Sequence, residues 1–169
     1  MKLLKYDEIS QEQYLEYISD WEATGERIIP GSSARMSDDF EKQLQFWRMH
    51  DSDKIREKNL VPGTLYFLEN NSGKLLGSIS FRHELTEELK IYGGHVGYGV
   101  RPSERRKGNS TSMLSLALDA IRIRGYSEIT VTCDTQNTGS KRTIENNNGR
   151  LKSRYLRNGI EICIYSIKL

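Results

Sequence analysis

The apolar period of the chain changes at Thr64, and this change restricts the available folds more than any other feature. Before Thr64 the apolar residues recur at helical spacing; after it they fall in short extended runs interrupted by one long helical pattern. Leu3–Lys5 reads as a short strand, and Ser10 with Gln13 forms a capping box ahead of Tyr14, Leu15, Ile18 and Trp21, predicting a helix that ends near Gly25. Ser37 is the expected N-cap of a second helix, with Phe40, Leu44 and Trp47 on one stripe, running out before Pro62. Thr64–Glu69 and Leu75–Arg82 flank Asn70-Asn71-Ser72-Gly73, a hairpin signal, and a further extended run, Gly94–Val100, follows the turn-like Thr86–Lys90. Ser112–Arg124 is an amphipathic helix, Glu128–Cys133 alternates as a strand, Ser140–Asn147 reads as a short polar helix, and Ile160–Leu169 is a last strand. A helical start, antiparallel hairpins, one β-α-β unit and a final hairpin make an α+β chain with a mixed sheet. Its 169 residues suit a single domain over 1–169: a helical elaboration at 1–60, central motifs at 64–149 and a C-terminal hairpin at 150–169.

No apolar run approaches the ~20 residues that span a bilayer. The basic start lacks an apolar stretch and a small-residue cleavage site, so a cytoplasmic location is expected. Cys133 and Cys163 sit in strand-like runs without metal-ligand spacing, which predicts packed thiols and neither a zinc site nor a disulfide framework. The net charge of +2 conceals an asymmetry: residues 1–60 carry 13 acids and 9 bases, whereas residues 101–169 carry 6 and 13. The basic C-terminal third suits a polyanion, either nucleic acid or a small phosphorylated cofactor.

Spacing favours the second. Val100-Arg101-Pro102-Ser103-Glu104-Arg105-Arg106-Lys107-Gly108-Asn109-Ser110 lies between an extended run and a helix. A glycine there lets successive N–H groups converge, and a helix start adds unpaired donors, so the junction is an anion site beside three cationic side chains. The pattern matches neither a P-loop nor a Rossmann fingerprint. Read as composition alone, it is an exposed basic turn.

The same residues carry a family resemblance. Val100-x-Pro102 followed by Arg105-x-x-Gly108-x-Ser110 and a helix resembles the acyl-CoA pyrophosphate motif of the GNAT N-acetyltransferases, and the phrase Gly93–Ser103 resembles a bacterial branch of that family. Gly94–Val100 resembles that family's fourth strand, and Thr132–Ser140 its fifth strand and the start of its fourth helix. The resemblance implies a mixed, mostly antiparallel sheet of six or seven strands, splayed between the fourth and fifth, with about four helices. It implies acetyl-CoA as cosubstrate and no metal. Tyr98, Gly99 and Val100 would receive the pantetheine arm; the N–H groups of Arg106, Gly108, Asn109 and Ser110 would hold the pyrophosphate, with Arg105 and Lys107 as charge partners. Asn137, with Ser140, would reach the cofactor from across the cleft, or would simply cap a helix.

For acetyl transfer, His95 is the first candidate base, with His83 and Glu84 as alternatives; each also reads as a packed or solvated residue. The family often places a proton-donating tyrosine where this chain has Ile144, which leaves Tyr98, Ser140 or water as the acid. The implied acceptor is a small-molecule or peptide amine, with a homodimer compatible and no membrane partner. The acidic first 60 residues would suit a cationic amine, or are a solvated face. A non-catalytic acyl-CoA sensor is the alternative; an RNA-binding module based on Lys141, Arg142, Arg150, Lys152, Arg154, Tyr155 and Arg157 is disfavoured because no nucleic-acid motif accompanies it.

Overall fold

The computed structural model describes residues 1–169, which form seven strands and five α-helices. The strands are β1 (Lys2–Lys5), β2 (Gly63–Glu69), β3 (Leu75–Arg82), β4 (Val96–Val100), β5 (Glu128–Asp134), β6 (Arg150–Arg157) and β7 (Ile160–Lys168). The helices are α1 (Gln11–Thr24), α2 (Phe40–His50), α3 (Glu87–Ile91), α4 (Asn109–Ile123) and α5 (Thr138–Glu145). They build an α+β fold with two antiparallel sheets, ordered β1-β2-β3-β4 and β5-β7-β6. No helix is long and apolar enough to cross a membrane.

The sheets part between β4 and β5, and they hydrogen-bond to each other only just ahead of β4. There the His95 N–H donates to the Thr130 carbonyl at 2.7 Å, and the Thr130 N–H donates back to His95 Nδ1 at 2.9 Å. Gly93 N–H adds a bond to Thr132 Oγ1 at 2.9 Å. Beyond this clip β4 keeps a free edge, because β3 occupies only its other side.

Local chemistry explains where the elements differ from their sequence reading. α1 has the Ser10–Gln13 capping box and stops at Gly25, at φ +66°. α2 is capped by Asp39, not Ser37: the Asp39 carboxylate accepts from the N–H groups of Glu41 and Lys42, while Ser37 Oγ accepts only from Asp39 N–H. A carboxylate also meets the positive end of the helix dipole, so it takes the cap. α3 forms within the turn-like segment because Thr86 Oγ1 accepts from Leu89 N–H at 3.2 Å. β4 begins two residues late because Gly93 and Gly94, at φ +121° and +62°, break the extended run.

Two apolar cores sit on the sheets. Met113, Leu114, Ala117 and Ile121 of α4 pack on Ile79, Phe81, Val131 and Tyr165. Tyr14, Tyr17 and Trp21 of α1 join Trp47 of α2 over Phe67 and Leu75. Between the first core's strands and α1 lies Arg101, only 3% exposed. Its guanidinium bonds Asp20 Oδ2 at 2.9 Å, the carboxylate of Glu16, the Glu16 carbonyl at 3.1 Å and the Leu75 carbonyl at 3.2 Å. Asp20 Oδ2 also accepts from Ser103 N–H and Oγ, at 3.1 and 2.9 Å. Removing the buried partner leaves Asp20 without its cation: Arg101→Met should lower the unfolding free energy by about 3 kcal/mol in urea titrations. Glu16→Gln, whose carboxylate is half exposed, should change it by less than about 1 kcal/mol.

Candidate functional site

A cleft of about 880 Å³ opens where the two sheets part, bounded by β4, the turn leading into α4, and the start of α5. The turn is shaped by two left-handed residues, Arg106 at φ +62° and Gly108 at φ +80°. With those two inversions the N–H groups of residues 106–111 find no backbone or side-chain acceptor in the protein. Such a run of donors at the positive end of a 15-residue helix favours an anion. On the strand side, an added Cβ at Gly99 would collide with the Ile29 carbonyl oxygen, so only glycine lets the loop after α1 lie across β4.

Ten of the residues that the sequence assigns to a cofactor line this cleft together: Tyr98, Gly99, Val100, Arg105, Arg106, Gly108, Asn109, Ser110, Asn137 and Ser140. Lys107 does not line it; its ammonium pairs with Glu104 at 2.9 Å. Arg105 is committed elsewhere, with two bonds to Glu26 at 3.0 and 2.8 Å, one to the Val100 carbonyl at 3.1 Å, and its guanidinium over the Trp21 ring at 5.1 Å. The cations on the cleft without a carboxylate partner are Arg106 and Arg142, and the sequence reading assigns Arg142 to a basic surface segment. Asn137 caps α5, its Oδ1 accepting from Ser140 N–H at 2.9 Å, so it does what a cap does while lining the cleft. Ser110 Oγ and Thr143 Oγ1 share a hydrogen bond of 2.8 Å that ties α4 to α5. Tyr98 donates its hydroxyl to the Ser140 carbonyl at 3.3 Å, and burial pushes its pKa up to about 12. Ile144 is fully buried in the core.

The candidate bases lie apart from that cleft. His95 faces Phe81 and Tyr126, with ring centroids 6.4 and 6.3 Å away, and its Nδ1 is occupied by the Thr130 N–H. Burial, with Arg82 nearby, holds its pKa below the ordinary imidazole value. Glu84 pairs with Arg56, and His83 Nε2 contacts Thr64 Oγ1 at 2.8 Å and Arg124 at 2.9 Å. None of the three lines either principal cavity.

A second cavity of about 460 Å³ lies on the other side of the loop after α1. Ile29 lines the first cleft and Pro30 the second, so one peptide unit laid over β4 divides them. The second cavity holds a histidine that the sequence places far from the motif: His50, at the end of α2. Burial, aided by Lys58, lowers its pKa. No local signal could have found it, since α2 reaches the cavity only through packing of Trp47 on Tyr14 and Phe67.

A family model described as the acetyltransferase (GNAT) domain matches residues 4–150. The chain belongs to the GNAT acetyltransferases. No curated protein sequence matches it significantly. Solved GNAT structures share its fold at low identity. A chimera of the spermidine N-acetyltransferase SpeG from Vibrio cholerae and hSSAT has a TM-score of 0.63 at 12% identity, covering 99% of this chain and 96% of that one. The ribosomal-protein-S5-alanine acetyltransferase of Vibrio fischeri gives 0.61 at 14%, covering 92% and 86%. yncA from Salmonella typhimurium, solved with its cofactor acetyl-CoA, gives 0.53 at 17%, covering 79% and 75%.

The free donors of the GNAT turn can be titrated without any acyl donor. Inorganic pyrophosphate at ten times its dissociation constant should raise the melting temperature by about 4 °C. Gly108→Asp, which sets a carboxylate among residues 106–111, should erase that shift, and Lys107→Ala should preserve most of it.

Proposed function

We propose that this protein moves the acetyl group of acetyl-CoA to an amine, with the cofactor in the first cleft and the acceptor in the second cavity. The observation that carries the reading is the set of N–H groups at 106–111, without acceptors, facing a cleft of about 880 Å³. A diphosphate is the small anion that can engage several such donors at once, and Arg106 and Arg142 supply the charge that Arg105 and Lys107 direct elsewhere. The free edge of β4 suits an extended amide-bearing arm, which adds to it as a strand would. The acetyl-CoA held by yncA supports the same donor for this fold.

Transfer forms a carbon–nitrogen bond to the thioester carbonyl, breaks the carbon–sulfur bond, and requires that the amine lose a proton and the sulfur gain one. His50 is the group best suited to take the first proton: it lines the second cavity, and its lowered pKa keeps it neutral at neutral pH. Tyr98 lines the first cleft, and its raised pKa keeps the hydroxyl protonated as a donor to the sulfur. His95 is better suited to holding β4 against β5 than to proton transfer.

Calorimetry with acetyl-CoA tests the cofactor: Gly108→Asp should weaken binding at least tenfold, and an unchanged affinity in the folded variant rejects the site. Thiol release with an amine panel tests turnover; binding without release would mark a sensor in place of an enzyme. His50→Ala should lower kcat roughly 10²-fold. Because His50 is more easily deprotonated than a free imidazole, the acidic limb of the wild-type kcat profile should fall with an apparent pKa below ~6.5. His95→Ala should lower the melting temperature while rate per folded molecule is kept.

A further inference from the structure

The second cavity contains a cation with nothing to neutralise it. Arg82, at the end of β3, lines the cavity and donates only through Nη1, to the carbonyls of Gly93 and Gly94 at 3.2 and 2.8 Å. Its Nε and Nη2 have no partner, and no carboxylate lies within salt-bridge distance of it. The one acid on the cavity wall, Glu88, is paired with Arg157 at 2.8 Å. A half-buried guanidinium without a counterion is unusual, because desolvating a charge is unfavourable unless something pairs with it.

Around Arg82 the lining is mixed, with Leu60, Val61, Leu65 and Leu89 beside Asn59, Ser80 and Thr86, and the volume of about 460 Å³ suits a small molecule with both an apolar part and a polar end.

Resting on the reading of this cavity as the acceptor site, we infer that the acceptor is a small primary amine carrying a carboxylate, which Arg82 receives. A planar guanidinium offers two parallel N–H groups to a carboxylate, and Nε with Nη2 is the pair left free here. A polyamine would bring more positive charge to a wall that already holds an unpaired cation. The acidic surface of the first 60 residues does not reverse this, since only Glu88 places a carboxylate on the cavity.

The test compares L-amino acids, each paired with its own C-terminal amide, against spermidine, by thiol release from acetyl-CoA. Each acid should exceed its amide at least tenfold in kcat/KM, and spermidine should be the poorest acceptor. Arg82→Gln should raise KM for the acids at least tenfold, close the gap between acid and amide, and leave acetyl-CoA affinity near wild type. Because Arg82 also braces Gly93 and Gly94, melting temperatures are followed beside KM, and Arg82→Lys, which keeps the cation but not the parallel N–H pair, should recover part of the acid preference that Arg82→Gln abolishes. Amides equal to acids, a preference for spermidine, or no acid turned over while acetyl-CoA still binds would each overturn the inference and leave the cofactor site standing. Failure to bind acetyl-CoA would instead remove the function on which it rests.

Discussion

Arg101 joins the parts of the molecule that must not move relative to one another. It follows β4 directly, and its buried guanidinium takes two acids and two carbonyls from α1 and β3. Asp20, one of those acids, also fixes Ser103 at the start of the turn. Glycines and left-handed residues give a turn its shape but no rigidity. The shape at 106–108 is held in place from one side by this network and from the other by Asn109, whose Nδ2 bonds the Glu104 carbonyl at 2.9 Å. A charge network is a weak source of net stability, yet its directional bonds define one arrangement, which a purely apolar contact between α1 and the turn would not.

The split between the sheets has a similar logic. Hydrogen bonding along the whole of β4 and β5 would close the cleft, and no contact at all would leave two unconnected sheets. The clip permits neither, because its ring and backbone bonds are confined to His95, just ahead of β4, and Thr130 of β5. His95 must keep Nδ1 unprotonated to accept the Thr130 N–H, and burial acts in the same direction.

What could be read from the sequence was local. The Ser10–Gln13 cap, the Asn70–Gly73 hairpin turn and the strand-to-helix junction around Gly108 depend on residues a few positions apart, and each is found where expected. The cleft lining was legible for the same reason, since ten assigned residues come from two short segments. Partners distant in sequence were not. Glu26 takes the charge of Arg105 from 79 residues away, and Arg157 takes that of Glu88 from 69. His95 was assigned from its place in the extended run and its imidazole chemistry, and its bond to Thr130, 35 residues away, had no local signal. His50 and Arg82 meet on one cavity because α2 packs on β2 through Trp47 and Phe67, while β2 carries the end of β3 beside it, Gly63 pairing with Arg82.

The peptide between Ile29 and Pro30 has a consequence of its own. A partition one residue thick cannot answer to its two sides separately: a ligand that presses on Ile29 displaces Pro30 as well. The loop is also tethered at Glu26 to Arg105, so the position of the partition is linked to the charge balance of the turn. The two openings are thus neighbours across one backbone: any shift of residues 26–30 reshapes a wall of both at once.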